Sequence, residues 1–134
     1  MSVKVDVKYK DGSKIFMTSD NHFSHKNIIE FCNRPFNSVE ETYDYILSEL
    51  KEATASINTA VEPTTDEAKG DPGFGYNATK WQKLGNSLRM RYAMRLSEVN
   101  PSKAKSEFED AAKGASITTL DDMYAIQEYD QWNA

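Results

Sequence analysis

The chain has 134 residues, one cysteine and a net charge of -5. This length fits one domain, or one domain with an appendage, and the mean hydropathy of -0.69 is typical of a soluble protein. No apolar run approaches the ~20 residues that a transmembrane helix needs. The acidic balance also argues against nucleic acid as a partner.

Residues 3–9 alternate apolar and charged side chains, which is typical of a half-buried β-strand. Asp11 and Gly12 form a hairpin-turn signal, and residues 14–18 (KIFMT) predict a second strand. The sequence therefore predicts a short N-terminal β-hairpin ahead of an otherwise mainly α fold.

Asp20 and His22 follow the second strand. A carboxylate and an imidazole that project from the carboxyl end of a strand can hold a divalent ion. Residues 14–41, with the run FCNRPF at 31–36, resemble the first block of the calcineurin-like metallophosphoesterases. The resemblance implies that Asp20 and His22 are metal ligands.

The rest of that family's site has no counterpart in this chain. A two-metal centre needs histidines from later blocks, whereas the chain has two histidines, His22 and His25, both in the first block. We therefore expect no complete phosphoesterase site and no cofactor, with weak binding of one divalent ion as the remaining possibility.

Four helices are predicted next, at residues 27–33, 39–58, 79–100 and 101–113. Ser38 and Glu41 form a capping box for the second helix, Thr79 and Gln82 form one for the third, and Asn100 caps the fourth. Apolar residues recur at helical spacing along the second and third helices, so the core is predicted between them. A weak helix is predicted at residues 120–129.

The third predicted helix also has a basic face, made of Lys80, Lys83, Arg89, Arg91 and Arg95. Such a face can bind nucleic acid or a membrane. Because the chain is acidic overall, a face that is solvated or paired in salt bridges is favoured over one that binds nucleic acid or a membrane.

Residues 59–77 form a long connection that is rich in glycine and proline at 70–75, where no regular structure is predicted. Phe74 and Tyr76 are the candidate ligand-binding residues, because an aromatic face suits the apolar side of a sugar ring. Trp81 could stack on a sugar as well, but its place in the helical stripe favours core packing.

The runs KWQK at 80–83 and NSLRMRYAMR at 86–95 carry a second resemblance, which covers the chain from Tyr43 onward. This part resembles the SusD/RagB-type outer-membrane nutrient-binding lipoproteins. The resemblance implies tetratricopeptide-like helices, non-enzymatic binding of a glycan or peptide nutrient, and an outer-membrane transporter as partner. It also implies an outer-membrane location, although the chain as written shows no signal peptide or lipoprotein cysteine and would stay in the cytoplasm.

The two resemblances meet near residues 41–43. We therefore predict two parts, a phosphoesterase-like strand–turn–helix fragment at 1–41 and a SusD-like helical segment at 42–134. The leading hypothesis for function is a SusD-like binding fragment. The alternatives are a metal-dependent phosphoesterase fragment with an incomplete site, or a chimeric or designed chain without an evolved function.

Overall fold

A computed structural model describes residues 22–125. The predicted β-hairpin and Asp20 lie outside these residues. Between residues 22 and 125 the chain is mainly helical, as predicted, and contains no strand. Its elements are α1 (Lys26–Phe31), α2 (Val39–Ser56), α3 (Thr65–Ala68), α4 (Ala78–Met94), α5 (Pro101–Ala112) and a 3-10 turn at Leu120–Asp122.

The start of α2 confirms the predicted cap. Ser38 Oγ accepts a hydrogen bond from the Glu41 amide at 3.0 Å, which satisfies one of the amides that a helix start leaves without a partner. The Glu41 carboxylate accepts from the Asn37 amide at 2.7 Å, one residue before the amide that a complete capping box uses. The cap of α5 is also confirmed, because Asn100 Oδ1 accepts from the Lys103 amide at 3.2 Å.

The start of α4 differs from the prediction by one residue and has a different cap. Asn77 Oδ1 accepts from the Lys80 amide at 3.0 Å, so Asn77, and not Thr79, caps the helix. Both residue types are good caps, and they lie two positions apart in the sequence.

The prediction that one helix continues to Asn100 is wrong. α4 ends at Met94, and the amides of residues 95, 96, 97 and 99 bond to carbonyls three residues back, as in tight turns. This arrangement still buries Leu96, whose exposed fraction is 1%, but leaves Val99 66% exposed.

The core lies where three helices meet. It contains Tyr43 and Leu47 of α2, Ala93 of α4, Leu96 of the following turn and Ala104 of α5. α4 packs against both α2 and α5. The predicted contact between the second and third helices is therefore confirmed, and α5 completes the core.

Residues near the start of the described chain share this core. The Phe23 ring meets Tyr92 edge to face, with ring centroids 6.2 Å apart, and Ser24 Oγ lies 2.6 Å from the Tyr43 hydroxyl. These contacts join residues on both sides of the predicted boundary at 41–43.

The contact between α4 and α5 contains a buried charge. Arg89 is 4% exposed and donates from Nε and Nη2 to Glu107 Oε2 at 3.0 and 2.5 Å. Its Nη2 also donates to Asp110 Oδ2 at 2.7 Å. Burial acts to lower the pKa of Arg89, but these two carboxylates raise it overall. Arg89 thus belongs to a salt-bridged part of the predicted basic face.

Two further predictions need correction. The connection at residues 59–77 is not free of regular structure, because Thr65–Ala68 forms the short helix α3; the glycine-rich part after it does form turns. The weak helix predicted at residues 120–129 begins as a single 3-10 turn at Leu120–Asp122, and it is not continued at residues 123–125.

Candidate ligand-binding site

The loop between α3 and α4 is organised around one carboxylate. Asp71 Oδ1 accepts from the amides of Gly73 and Phe74 at 3.1 and 3.3 Å. Asp71 Oδ2 accepts from the Tyr76 amide at 2.8 Å and from the Trp81 indole Nε1 at 2.7 Å. Aspartate commonly bonds to the backbone shortly after it, and so stabilises a turn; here it also reaches the first turn of α4.

Charge favours this arrangement. Burial acts to raise the pKa of Asp71, but the hydrogen bonds from the Trp81 side chain and from the loop amides lower it below its ordinary 3.8. Asp71 is therefore ionised at neutral pH, and all four donors meet a negative acceptor. Hydrogen bonds to an ionised acceptor are stronger than neutral ones.

The loop also contains a strained aromatic residue. Tyr76 has φ +58° and follows Gly75, which has φ +59°. Glycine adopts this left-handed conformation without cost, whereas a side chain with a β-carbon is disfavoured by about 1–2 kcal/mol. The Tyr76 side chain is nevertheless kept there and is 51% exposed.

Phe74, Trp81 and Tyr124 form an aromatic cluster beside this loop. The Phe74 ring meets Trp81 and Tyr124 edge to face at centroid distances of 5.2 and 5.3 Å. Trp81 and Tyr124 are 5.7 Å apart. Gly73 makes room for this cluster, because a β-carbon there would overlap the Tyr124 ring.

Two lysines of α4 hold the segment that carries Tyr124. Lys80 Nζ donates to the Asp121 carbonyl at 2.6 Å, and Lys83 Nζ lies 2.8 Å from Asp122 Oδ1. The bond from Lys83 lowers the pKa of Asp122. The cluster is therefore bounded by the Asp71 loop on one side and by a charged tie to α4 on the other.

Two clefts open next to the loop, and Tyr76, Ile57 and Ala78 line both of them. The first, of about 610 Å³, also contains polar groups of Asn58 and Asp66. The second, of about 480 Å³, lies between α2 and α4 and has mainly apolar walls. A ligand pocket commonly combines apolar walls with a few polar groups in this way.

The structure separates the two predicted ligand-binding residues. Tyr76 lines the clefts, whereas Phe74 is half-buried in the aromatic cluster. Trp81, predicted to be a core residue, is 37% exposed and makes a polar contact through its indole. Their role in binding stays a prediction.

The predicted metal pair is described only in part, since Asp20 lies outside residues 22–125. His22 is exposed, and its ring centroid lies 5.9 Å from that of His25. In the described part of the chain, no group of three or more His, Cys, Asp or Glu side chains could hold a metal ion. The pair Asp20 and His22 stays a prediction.

Sequence reasoning missed Asp71 and Tyr124. Asp71 precedes Pro72 and Gly73, and an aspartate at the head of such a turn is a signal that could have identified it. No local signal identifies Tyr124, because its partners lie 43 and 50 positions away in the chain, at Trp81 and Phe74.

None of the helices in residues 22–125 is both long and apolar enough to cross a bilayer. Comparison with known proteins adds four findings. A 28-residue stretch is 64% identical to an uncharacterised protein of Methanocaldococcus jannaschii and covers 21% of this chain and 16% of that protein. The structure is similar to that of a SusD homolog from Bacteroides uniformis, with 31% identity, a TM-score of 0.63, and coverage of 69% of this chain and 19% of that one.

A SusD-like protein from Bacteroidetes is also similar, with 38% identity, a TM-score of 0.58, and coverage of 68% of this chain and 17% of that one. The chain therefore spans about a fifth of the length of these solved structures. A SusD-like family model, described as starch-binding and associating with the outer membrane, matches residues 23–133. The match begins before the boundary predicted at residues 41–43, and none of these proteins is described as a phosphoesterase. The chain belongs to the SusD-like family.

Proposed function

We propose that this chain is part of a non-enzymatic, SusD-like glycan-binding protein of the outer membrane, and that Tyr76 contacts the glycan. The observation that supports this most directly is the position of Tyr76. Its side chain is 51% exposed, it lines both clefts, and its backbone is held in a conformation that tyrosine does not favour. Strain at an exposed residue is a reason to suspect function.

The surroundings of Tyr76 suit a sugar. A tyrosine ring can stack on the apolar face of a pyranose, and the Asn58 amide and Asp66 carboxylate of the first cleft can bond to hydroxyl groups. Phe74 would contribute indirectly, because its contact with Trp81 supports the loop.

The partner belongs to the same proposal. SusD-like resemblance implies an outer-membrane transporter as partner and a tetratricopeptide-like arrangement of the helices. Three packed helices, α2, α4 and α5, are compatible with that arrangement. No observation in the described residues favours the phosphoesterase alternative.

Starch is the first glycan to test, because the family's description names it. Maltoheptaose would be titrated into the wild type and into Tyr76→Ala, with Tyr45→Ala as the matched control. Tyr45 is similarly exposed, at 53%, but lies on α2 against Phe36 and lines neither cleft.

The expected result is binding that is about fivefold to tenfold weaker in Tyr76→Ala, which is about 1–1.4 kcal/mol, with no change in Tyr45→Ala. Equal affinity of the wild type and Tyr76→Ala, or an equal loss in both variants, would refute the proposed site.

A further inference from the structure

We propose that Asp71 is the positioning residue of this site, and that it acts by holding Tyr76 and Trp81 through one oxygen atom. This inference rests on the proposed function for its link to glycan binding. The structural part of the inference rests only on the four hydrogen bonds that Asp71 accepts.

The two carboxylate oxygens have separate tasks. Oδ1 closes the turn by accepting from the amides of Gly73 and Phe74. Oδ2 connects the loop to α4, because it accepts from the Tyr76 amide at 2.8 Å and from the Trp81 indole at 2.7 Å. Oδ2 thus fixes the exposed tyrosine relative to the first turn of the helix that forms one wall of the second cleft.

The backbone conformation explains why Tyr76 needs this bond. A non-glycine residue at φ +58° is disfavoured on its own, so it stays there only when its surroundings hold it. Backbone bonds from the amides of Gly75 and Asn77 hold the loop on either side, and the bond to Asp71 Oδ2 is the one that the Tyr76 amide itself donates. Without it, the loop would relax, and Tyr76 would occupy its place at the clefts for only part of the time.

The identity of the atoms makes asparagine a poor substitute. All four partners of Asp71 are N–H donors, and an asparagine side chain offers one acceptor oxygen and one NH₂ donor. If the oxygen of the introduced amide closed the turn, its NH₂ group would face the Tyr76 and Trp81 donors. If the amide flipped, the turn would lose its acceptor instead. Asp71→Asn therefore breaks one pair of bonds while it changes the side-chain volume very little.

The test uses Asp71→Asn, with Asp66→Asn as the matched control for the indole resonance only, because Asp66 itself lines the first cleft. Asp66 lies in α3, its carboxylate is 93% exposed, and it pairs with Lys69 alone among the contacts described. Two quantities are measured in the full chain at neutral pH. The first is the NMR resonance of the Trp81 indole N–H, assigned with Trp81→Phe. The second is the affinity for maltoheptaose.

We expect Asp71→Asn to shift the indole resonance and to weaken maltoheptaose binding about fivefold, as when a binding-competent conformation falls to about one fifth of the population. Asp66→Asn should leave the indole resonance in place. Thermal unfolding of Asp71→Asn should still be cooperative, since the core helices are not altered.

The outcomes separate the two proposals. An unchanged indole resonance together with unchanged affinity in Asp71→Asn would overturn the positioning role. A shifted resonance in Asp71→Asn, with no effect on affinity from either Asp71→Asn or Tyr76→Ala, would support the tie to α4 and overturn the glycan site. A shifted resonance with loss of affinity in both variants supports both proposals.

Discussion

Gly85 keeps α2 and α4 close together, and we predict that alanine at this position destabilises the protein. A β-carbon at Gly85 would overlap the Thr54 Cγ2 methyl. Thr54 is buried, and its hydroxyl donates to the Leu50 carbonyl at 2.8 Å. Because the methyl and the hydroxyl share one carbon, the methyl cannot rotate away without moving that hydrogen bond. The helices must therefore separate.

Two effects of opposite sign set the size of the change. Alanine is favoured over glycine by about 1 kcal/mol in a helix interior, whereas overpacking a close contact costs about 1–3 kcal/mol. Since the overlap is with a branched, buried side chain, we take about 2–3 kcal/mol for the second effect, which leaves a net destabilisation of about 1–2 kcal/mol. For a chain of this size, Tm would fall by about 3–8 °C.

A double-mutant cycle with Thr54→Ser isolates the cause. Serine removes the methyl and keeps the hydroxyl, so the overlap disappears while the bond to Leu50 remains. In that background Gly85→Ala is expected to stabilise the protein by up to about 1 kcal/mol. Urea unfolding of the four proteins measures this reversal of sign. An equal loss in both backgrounds would show that the close approach of Thr54 is not the reason for the glycine.

Arg89→Ala is expected to lower the free energy of unfolding by about 2–3 kcal/mol. This is somewhat less than the cost of breaking a fully buried ion pair, because the carboxylate partners of Arg89 are partly solvated. Arg91→Ala, on the exposed side of α4, should change the free energy of unfolding by no more than about 0.5 kcal/mol. Equal effects in urea unfolding would refute this difference. The free energy of unfolding is also expected to fall as the pH is lowered from about 4 to about 2. The bonds from Arg89 and Lys51 lower the pKa of Asp110 to about 2, so in this range the unfolded chain binds the proton more readily than the folded chain does. Asp110→Asn should reduce this pH dependence, while Asp71 and Asp122, whose pKa values are also lowered, keep the rest of it. Asp66→Asn should preserve the full pH dependence; the opposite pattern would contradict the assignment.

The helix starts were predictable where a local side chain makes the cap. Ser38 and Asn100 each accept from an amide three residues on, and this information is contained in a few adjacent residues. The start of α4 was harder because Asn77 and Thr79 are both good caps. Local pattern alone cannot choose between two competent caps in neighbouring positions.

The end of α4 shows what periodicity cannot detect. Leu96 falls on the apolar stripe and is buried, as the stripe predicts. It is buried from a turn, however, and not from a helix. In such a tight turn each amide bonds to the carbonyl three residues back, and side chains project at nearly the same residue spacing as in an α-helix. The apolar pattern therefore continues after the helix has ended.

The buried Arg89 could not be placed from sequence for a different reason. A charge is buried only when partners neutralise it, and its partners Glu107 and Asp110 lie on another helix.

The composition of the loop did identify Phe74 and Tyr76 as candidates. Composition could not show that the positions of Phe74 and Tyr76 depend on Asp71, because the hydrogen bonds that the Asp71 carboxylate accepts are seen only in the three-dimensional structure.

The cleft and the helix packing depend on each other. The Asp71 loop is tied to α4 through Trp81, whereas the opposite wall of the second cleft consists of Leu50 and Ala53 of α2. The width of this cleft therefore follows the spacing between α2 and α4, which Gly85 keeps small. Alanine at Gly85 would widen the cleft and leave the bonds of Asp71 intact. A loss of ligand affinity in Gly85→Ala with an unchanged Trp81 indole resonance would then locate the cause in the wall between α2 and α4, which Gly85 itself lines, and not in the loop.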